Sequence, residues 1–424
     1  MRSRLRELLP QWLAAAFVGA VSMLISFALG RVLGPVAFGD YATVLTAAAL
    51  FGIAQDGGFR TLIYREGIRV SPSMARHAQT LSQRAVSHAL YLSAIGMLAA
   101  AFTPPPYGPN AAAAVFCFGL QTLTGFVSSG LRADGRFGLD AAWQGVCRTT
   151  GALGIVAALV AAPSPAAVFI GWGAGLTLPI AIAAVLRPQA LKPWRTPGWL
   201  AAAELRSACL SFLLVDAATT VYYKCDIILL RHMGPGAADT GHYAAAYRFL
   251  DGIVLLAAPV GVVWFRRLRQ LMNDHGEFMK ELRSTCAALT LAGAAILAAG
   301  TLAADWLVGL TFGPGYEASA RLLPLLLASL VFLLPAGILT QAAIAMNMER
   351  FYAVTACLAA ALNIALNVAL IPRFAGSGAA MATIATECFL CVTLAARLRR
   401  TLAHTSSATH AHAEEGPSCT PNVR

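Results

Sequence analysis

Lys224, Asp226 and Arg231 stand in the stretch YYKCDIILLRHMGPG at 222–236, within a segment that is otherwise apolar. Lysine and arginine hold phosphates and carboxylates, and a neighbouring acid neutralises or orients them. At the centre of a bilayer each ionisable group costs at least about 2.5–3.5 kcal/mol on insertion scales, so such groups persist where they face a protein interior or a water-filled cavity. The same residue types recur in apolar runs as Asp56 and Arg60, Asp216, Arg248 and Asp251, and Glu387. Asp56 and Arg60 have the i,i+4 spacing with the acid first, the favourable order on a helix. Folding the chain back near Ala237 brings Lys224 level with Asp251 and Asp226 level with Arg248, which predicts those two ion pairs. Two roles are open to the pairs. They can lock helices together, or they can line a hydrated cavity whose surplus cations suit an anionic head group. Arg31, Arg231 and Arg60 stand near run ends, where a long side chain can reach the interface.

The elements that must position these residues are apolar helices. The chain has 424 residues, of which 58% are hydrophobic and only 12% charged, against about 45–50% and 25% in soluble domains. Mean hydropathy is +0.66. A bilayer core needs about 20 apolar residues per helical crossing. Such runs fall near 11–32, 41–63, 81–102, 111–131, 142–162, 166–186, 206–230, 242–265, 285–304, 320–341, 351–371 and 376–397. The expected fold is therefore an all-α polytopic membrane protein of about twelve spans. The first run is too long for a signal peptide and leads into a Gly-Pro turn, so it reads as a span.

The net charge of +11 is topological. Basic residues cluster in alternate loops, among them Arg2 to Arg6, Arg65 to Arg84, Arg132 and Arg136, Lys192 and Arg195, Arg266 to Arg283, and Arg397 to Arg400. The loop TPPPYGPN at 103–110 has no charge. The positive-inside rule then places both termini in the cytoplasm, and no nucleic-acid partner is expected.

Residues 1–190 and 206–400 form two expected six-helix bundles, joined by a Pro- and Trp-rich cytoplasmic linker at 191–205. The polar stretch 401–424 reads as a disordered cytoplasmic tail; its His404, His410 and His412 read as solvated rather than metal-binding. RVLGPVAFGDYATV at 31–44 and RHMGPGAADTGHYAAAY at 231–247 repeat an Arg, a Gly-Pro turn, a small-residue loop and a Tyr. The repeat is parallel, related by an axis along the membrane normal, as in transporters built from two similar bundles. Gly171, Gly173 and Gly175 read as a close helix contact, and Pro259, Pro324 and Pro335 as kinks.

Little supports an enzyme. The acids expected on the outer side, Asp40, Asp239, Asp305 and Glu317, fall in different loops, and no HExxH or GxSxG motif is present. The nine Cys are scattered, and Cys388 and Cys391 read as packing residues. No cofactor or metal motif is present.

FALGRVLGPVAFGDYATV with GGFRTLIYREG, YYKCDIILLRHMGPGAADTGHYAAAYRFLDGI, FGPGYEASARLLPLLL and ALNIALNVALIPRFAGSGAAMATIATE resemble segments of the Wzx-like polysaccharide flippases. The last carries the most specific motif, with an Asn pair before Ile-Pro. The resemblance implies two six-helix bundles in a V around a central cavity, the architecture of the superfamily that also holds multidrug exporters. It implies movement of an undecaprenyl-diphosphate-linked oligosaccharide from the inner to the outer leaflet of the bacterial inner membrane. Partners implied are that lipid, membrane lipid, a proton or sodium as coupling ion, and polymerase or assembly proteins. Asp226, Asn363 and Asn367 match family positions; Lys224 and Arg248 fall in the same motif and follow by charge. Asn363 and Asn367, four apart, share one helix face. The substrate-site set is thus Lys224, Asp226, Arg248, Asp251, Asp56 and Arg60. The competing readings are an ion-coupled exporter of small cationic or amphipathic compounds, with Asp56, Asp226 or Asp251 as the ion site, and a non-transporting scaffold.

Overall fold

A computed structural model describes residues 2–67, 72–104, 107–186, 203–272 and 274–414. Every regular element among them is helical: α1 (Arg2–Asp56), α2 (Phe59–Glu66), α3 (Pro72–Ala101), α4 (Tyr107–Ala133), α5 (Phe137–Ala161), α6 (Pro165–Leu186), α7 (Ala203–Met233), α8 (Ala237–Gln270), α9 (His275–Leu302), α10 (Ala304–Thr311), α11 (Glu317–Ala328), α12 (Leu330–Ala345) and α13 (Glu349–Glu414).

Among the described residues, eight helical segments are long and apolar enough to cross a membrane. Two of them, at 44 and 53 residues, far exceed the about 20 residues of one crossing. Each is broken at a single residue: Gly34 (φ 70°) in α1 and Ala375 (φ 51°) in α13. Both breaks fall at boundaries expected from the hydropathy runs. Helices α7 and α8, where the sequence expects two further spans, contain residues outside the described set and are not among the eight.

Several boundaries differ from the sequence reading. The second run ends at Asp56, where Gly57 (φ 60°) and Gly58 (φ 79°) turn the chain into the short α2. The tenth run divides at Ser329 into α11 and α12, with Pro324 and Pro335 on either side of the division. Proline lacks an N–H and crowds the preceding turn, so a weak point between the two follows. Helix α13 continues to Glu414, past residue 401, where a disordered tail was expected; Ala-containing sequence such as TLAHTSSATHAHAE tolerates helix. Residues 415–424, the linker up to residue 202, and the side chains of Asp216 and Pro259 lie outside the described residues.

One large core joins the two halves of the chain. It gathers Leu29, Phe38 and Tyr41 of α1 with Leu230, Tyr243, Phe312 and Tyr316 of the second half. All of these stand near the Gly-Pro turns. At the opposite end two smaller clusters form: Phe59, Leu62 and Leu81 with Cys209 of α7 in one, Leu268, Phe278 and Leu398 in another. The halves therefore share their largest core at the end of the Gly-Pro turns and touch again where Cys209 of α7 packs with α2 and α3.

The meeting is made by glycine. A Cβ on Gly39 would stand 1.9 Å from the Ala237 carbonyl, and one on Gly241 would stand 1.9 Å from the Pro35 carbonyl. These glycines occupy equivalent places in the internal repeat, so the same motif closes on itself across the two halves. Backbones approach this closely only where no side chain intervenes. The glycine face expected at 171–175 is similarly divided: Gly171 and Gly175 meet Gly154 and Thr150 of α5, while Gly173 faces Phe116 of α4.

Ala375 holds a left-handed backbone that only glycine adopts without strain. Ala375→Gly is expected to stabilise the protein by about 1 kcal/mol, read as a higher thermal unfolding midpoint in detergent. An unchanged or lower midpoint refutes the strain.

Candidate functional site

Helices α7 and α8 run back to back and carry the charged wall. Lys224 Nζ lies 3.0 and 3.2 Å from the two carboxylate oxygens of Asp251, as the folded-back register predicted. Arg248 also reaches Asp251, at 3.2 Å. It does not take the expected pairing with Asp226. The Asp226 carboxylate turns away and accepts hydrogen bonds from the Tyr243 hydroxyl and from the Ile227 backbone N–H at 2.8 Å. A depth register fixes level but not azimuth, and Asp226 points into the protein while Arg248 does not.

Burial separates their chemistry. Asp226 is 4% exposed, whereas the side chains of Lys224, Arg248 and Asp251 keep 28%, 20% and 34% of their surface open. Two cations thus share one carboxylate on an accessible wall and leave one net positive charge. The Lys224 ammonium also lies 4.6 Å from the centre of the Tyr247 ring, a cation–π distance.

Behind Asp226 the Asn pair stitches helices together. Asn367 Nδ2 donates to Asn363 Oδ1 at 2.9 Å, Asn363 Nδ2 donates to Thr386 at 3.3 Å, and Cys225 donates to Asn363 at 3.4 Å. Both asparagines are buried, between α7 and the two arms of α13. Glu387 is buried on the same helix.

The first half contributes a second basic group. Arg60 and Asp56 pair at 3.3 Å, although Gly57 and Gly58 interrupt the helix between them; the pair spans a break rather than one turn. The Arg60 guanidinium lies against Gly125 of α4, where a Cβ would come within 2.6 Å of it. Arg132 lies 3.4 Å from Asp140, a fully buried acid that also accepts from Ser128 and, at 2.9 Å, from Gln144. Arg148 of α5 stacks over Trp172 at 5.7 Å. Arg60, Arg132 and Arg148 together line a cavity of 230 Å³ with Gln121, Gln144 and Trp143. Arg148 and Arg248, from opposite halves, lie close enough to repel one another, with the Tyr41 ring near both. Sequence reasoning assigned Arg132 to loop topology and passed over Arg148. The signal was an arginine in VCRTTG, inside the run 142–162.

The two repeated arginines do not simply reach for the interface. Each crosses to the other half. Arg31 Nε donates to the Thr311 carbonyl at 2.9 Å and its NH2 group to the Leu310 carbonyl, at the C-terminus of α10, where a helix presents its negative end. Arg231 holds Asp40 at 3.1 Å and the Tyr107 hydroxyl. Together with Gly39 and Gly241, these contacts seal one end of the space between the charged walls.

The sequence profile described as polysaccharide biosynthesis protein matches residues 11–272, more than half of the chain and all of the charged wall on α7 and α8. The chain belongs to that family. Among curated proteins no sequence relative is found. The family member's fold is shared with solved transporters. It superposes on the lipid II flippase MurJ in an inward closed conformation with a TM-score of 0.72 at 12% identity, covering 93% of this chain and 87% of that one. An inward-facing multidrug resistance MATE family transporter of the MOP superfamily gives 0.62 at 11% identity, covering 93% and 95%. A MOP superfamily transporter from Pyrococcus furiosus, described by a reversed polarity of its binding pocket, gives 0.61 at 10% identity, covering 94% and 95%. At these identities the likeness is one of fold.

Proposed function

We propose that the protein is a flippase that carries an undecaprenyl-diphosphate-linked oligosaccharide from the cytoplasmic to the periplasmic leaflet for surface polysaccharide synthesis. The observation that carries this reading is the accessible, net positive wall of Lys224, Arg248 and Asp251. A diphosphate needs cations in a cavity; a small cationic drug needs the opposite sign. The saccharide occupies the hydrated space between the halves, and the polyprenyl chain stays in lipid. In this reading the chain crosses the inner membrane twelve times with both termini cytoplasmic, as two six-helix bundles, and the Gly-Pro turns lie on the periplasmic side. Its partners are the lipid-linked substrate, membrane lipid, a proton or sodium ion, and the polymerase that consumes the product.

Depletion tests it. Lipid-linked oligosaccharide is expected to accumulate on the cytoplasmic face of the inner membrane when the protein is removed. Intact surface polymer with no accumulation would sink the reading. One observation favours the second reading, an ion-coupled exporter of cationic compounds: Asp226 is a deeply buried acid, and exporters share this fold. In that case depletion sensitises cells to cationic compounds and leaves the lipid-linked pool unchanged.

A further inference from the structure

The repeat that seals one end of the molecule differs between its copies in one chemical respect. Gly39-Asp40-Tyr41 of the first half recurs as Gly241-His242-Tyr243 of the second, so a histidine stands where the first copy has an acid. The difference changes what each repeated arginine meets across the seam. Arg231 reaches into the first half and holds Asp40 at 3.1 Å. Arg31, its counterpart, reaches into the second half, where the matching residue is His242, and takes the carbonyls of Leu310 and, at 2.9 Å, Thr311 instead. One edge of the seal is an ion pair; the other is the end of α10 and the loop that follows it.

That loop, 312–316, lies on α1. The Tyr316 hydroxyl donates to the Gly30 carbonyl at 2.9 Å, and Phe312 fills the space beside Gly30, where a Cβ would stand 2.2 Å from its ring. Gly313 and Gly315 hold left-handed backbones, φ 85° and 89°, at which the loop turns. His242 stands behind the loop. Its ring is half-buried, packs edge-on to Tyr316 with centroids 5.7 Å apart, and places Nδ1 3.4 Å from the Ser319 hydroxyl. The charged groups that face it are Asp239 of its own helix and Glu317 and Arg321 of α11. Both carboxylates are engaged: Asp239 accepts from the Gly376 N–H of α13 and Glu317 from the Gly315 N–H, each at 3.0 Å. A neutral imidazole suits this setting. An imidazolium does not, because burial disfavours its charge, Arg321 repels it, and its attraction for Glu317 competes with the hydrogen bond that orders Gly315.

We propose that His242 is a proton-operated release for one edge of the seal: on gaining a proton it frees the 312–316 loop from α1, while the Arg231–Asp40 edge stays closed. The closed edge is favoured while the ring is neutral, and it weakens as pH falls through the histidine range. The inference rests on the transporter reading above only for the source of the proton, the side on which the Gly-Pro turns lie. The movement itself is independent of what is carried.

Spin-label distances in the full-length protein in lipid nanodiscs, without substrate, test it. One pair, at Val36 and Trp306, spans the loop edge; a second, at Val36 and His232, spans the ion-paired edge; all three side chains are exposed. Moving from about pH 7.5 to about pH 5.5 is expected to raise the long-distance population of the first pair at least about threefold and to leave the second pair unchanged. His242→Gln keeps polarity without the charge and is expected to hold the first pair at its short distance at both pH values. His232, whose Nδ1 lies 2.8 Å from the Ile228 carbonyl of its own helix, is still present in the first pair, so a response that it caused would persist in His242→Gln. No response of the wild-type pair, or the same response in His242→Gln, overturns the proposal. So does a parting of both pairs together, which would make the seal one rigid unit. A failed depletion test strikes the flippase reading and leaves these distances as they are.

Discussion

A protein carrying Lys224→Ala and Arg248→Ala is expected to lose transport, with lipid-linked oligosaccharide accumulating on the cytoplasmic face as it does on depletion. Hydrogen bonds to a charged group contribute about 1.5–3 kcal/mol each. Losing two removes about 3–6 kcal/mol, or about 10²–10⁴ in affinity for a diphosphate. Removing both cations also leaves Asp251 unpaired on the wall and turns its net charge from positive to negative. Asp251→Asn separates charge from scaffolding. It removes the shared partner of both cations and raises the net charge by one, so it is expected to preserve diphosphate binding. Normal transport by the double variant, at normal expression, would show that the pairs only lock α7 to α8.

The second large effect is expected at the sealed end. Gly39→Val and Gly241→Val each force a side chain into a carbonyl that already stands 1.9 Å from an added Cβ. Neither the Pro35 nor the Ala237 backbone can move away without parting the halves. Overpacking a tight contact costs about 1–3 kcal/mol or more, enough to shift a two-state equilibrium by about tenfold to 10²-fold. Spin labels at Val36 and His232, both exposed on either side of the contact, are expected to move apart in the variants. Transport is expected to fall at least about tenfold, because a conformation that cannot close at one end cannot alternate. An unchanged label distance with normal transport would show that the glycine contact is incidental. Arg231→Ala breaks the ion pair to Asp40 at the same end and is expected to open it less, since partly exposed pairs contribute only about 0–1 kcal/mol.

Several parts of the molecule are legible in its sequence. Apolar run length and the alternation of basic loops establish a helical membrane protein, because lipid leaves a spanning backbone no other partner for its hydrogen bonds than itself. The boundaries at Gly34 and near Ala375 followed from breaks in hydropathy. The Lys224–Asp251 pair followed from a single turn, since two helices joined by a short loop have a fixed depth register. The Asn363 and Asn367 face followed from their spacing of four.

Other features depend on azimuth or on contacts between distant segments, and these the tertiary structure alone decided. Asp226 sits at the level expected for Arg248, yet rotation about α7 hands it to Tyr243 and hands Arg248 to Asp251. The Asp56–Arg60 spacing looked like one helical turn, but two left-handed glycines bend the chain and the pair closes across the bend. Arg31 and Arg231 looked like interface anchors because a sequence does not reveal that each reaches into the opposite half. Arg148 acquires meaning only when α5 packs against α4 and α6 and brings it into one cavity with Arg60 and Arg132. Length and polarity are properties of a segment, and the sequence by itself determines them; the direction in which a side chain points, and what waits there, is decided by how the helices pack.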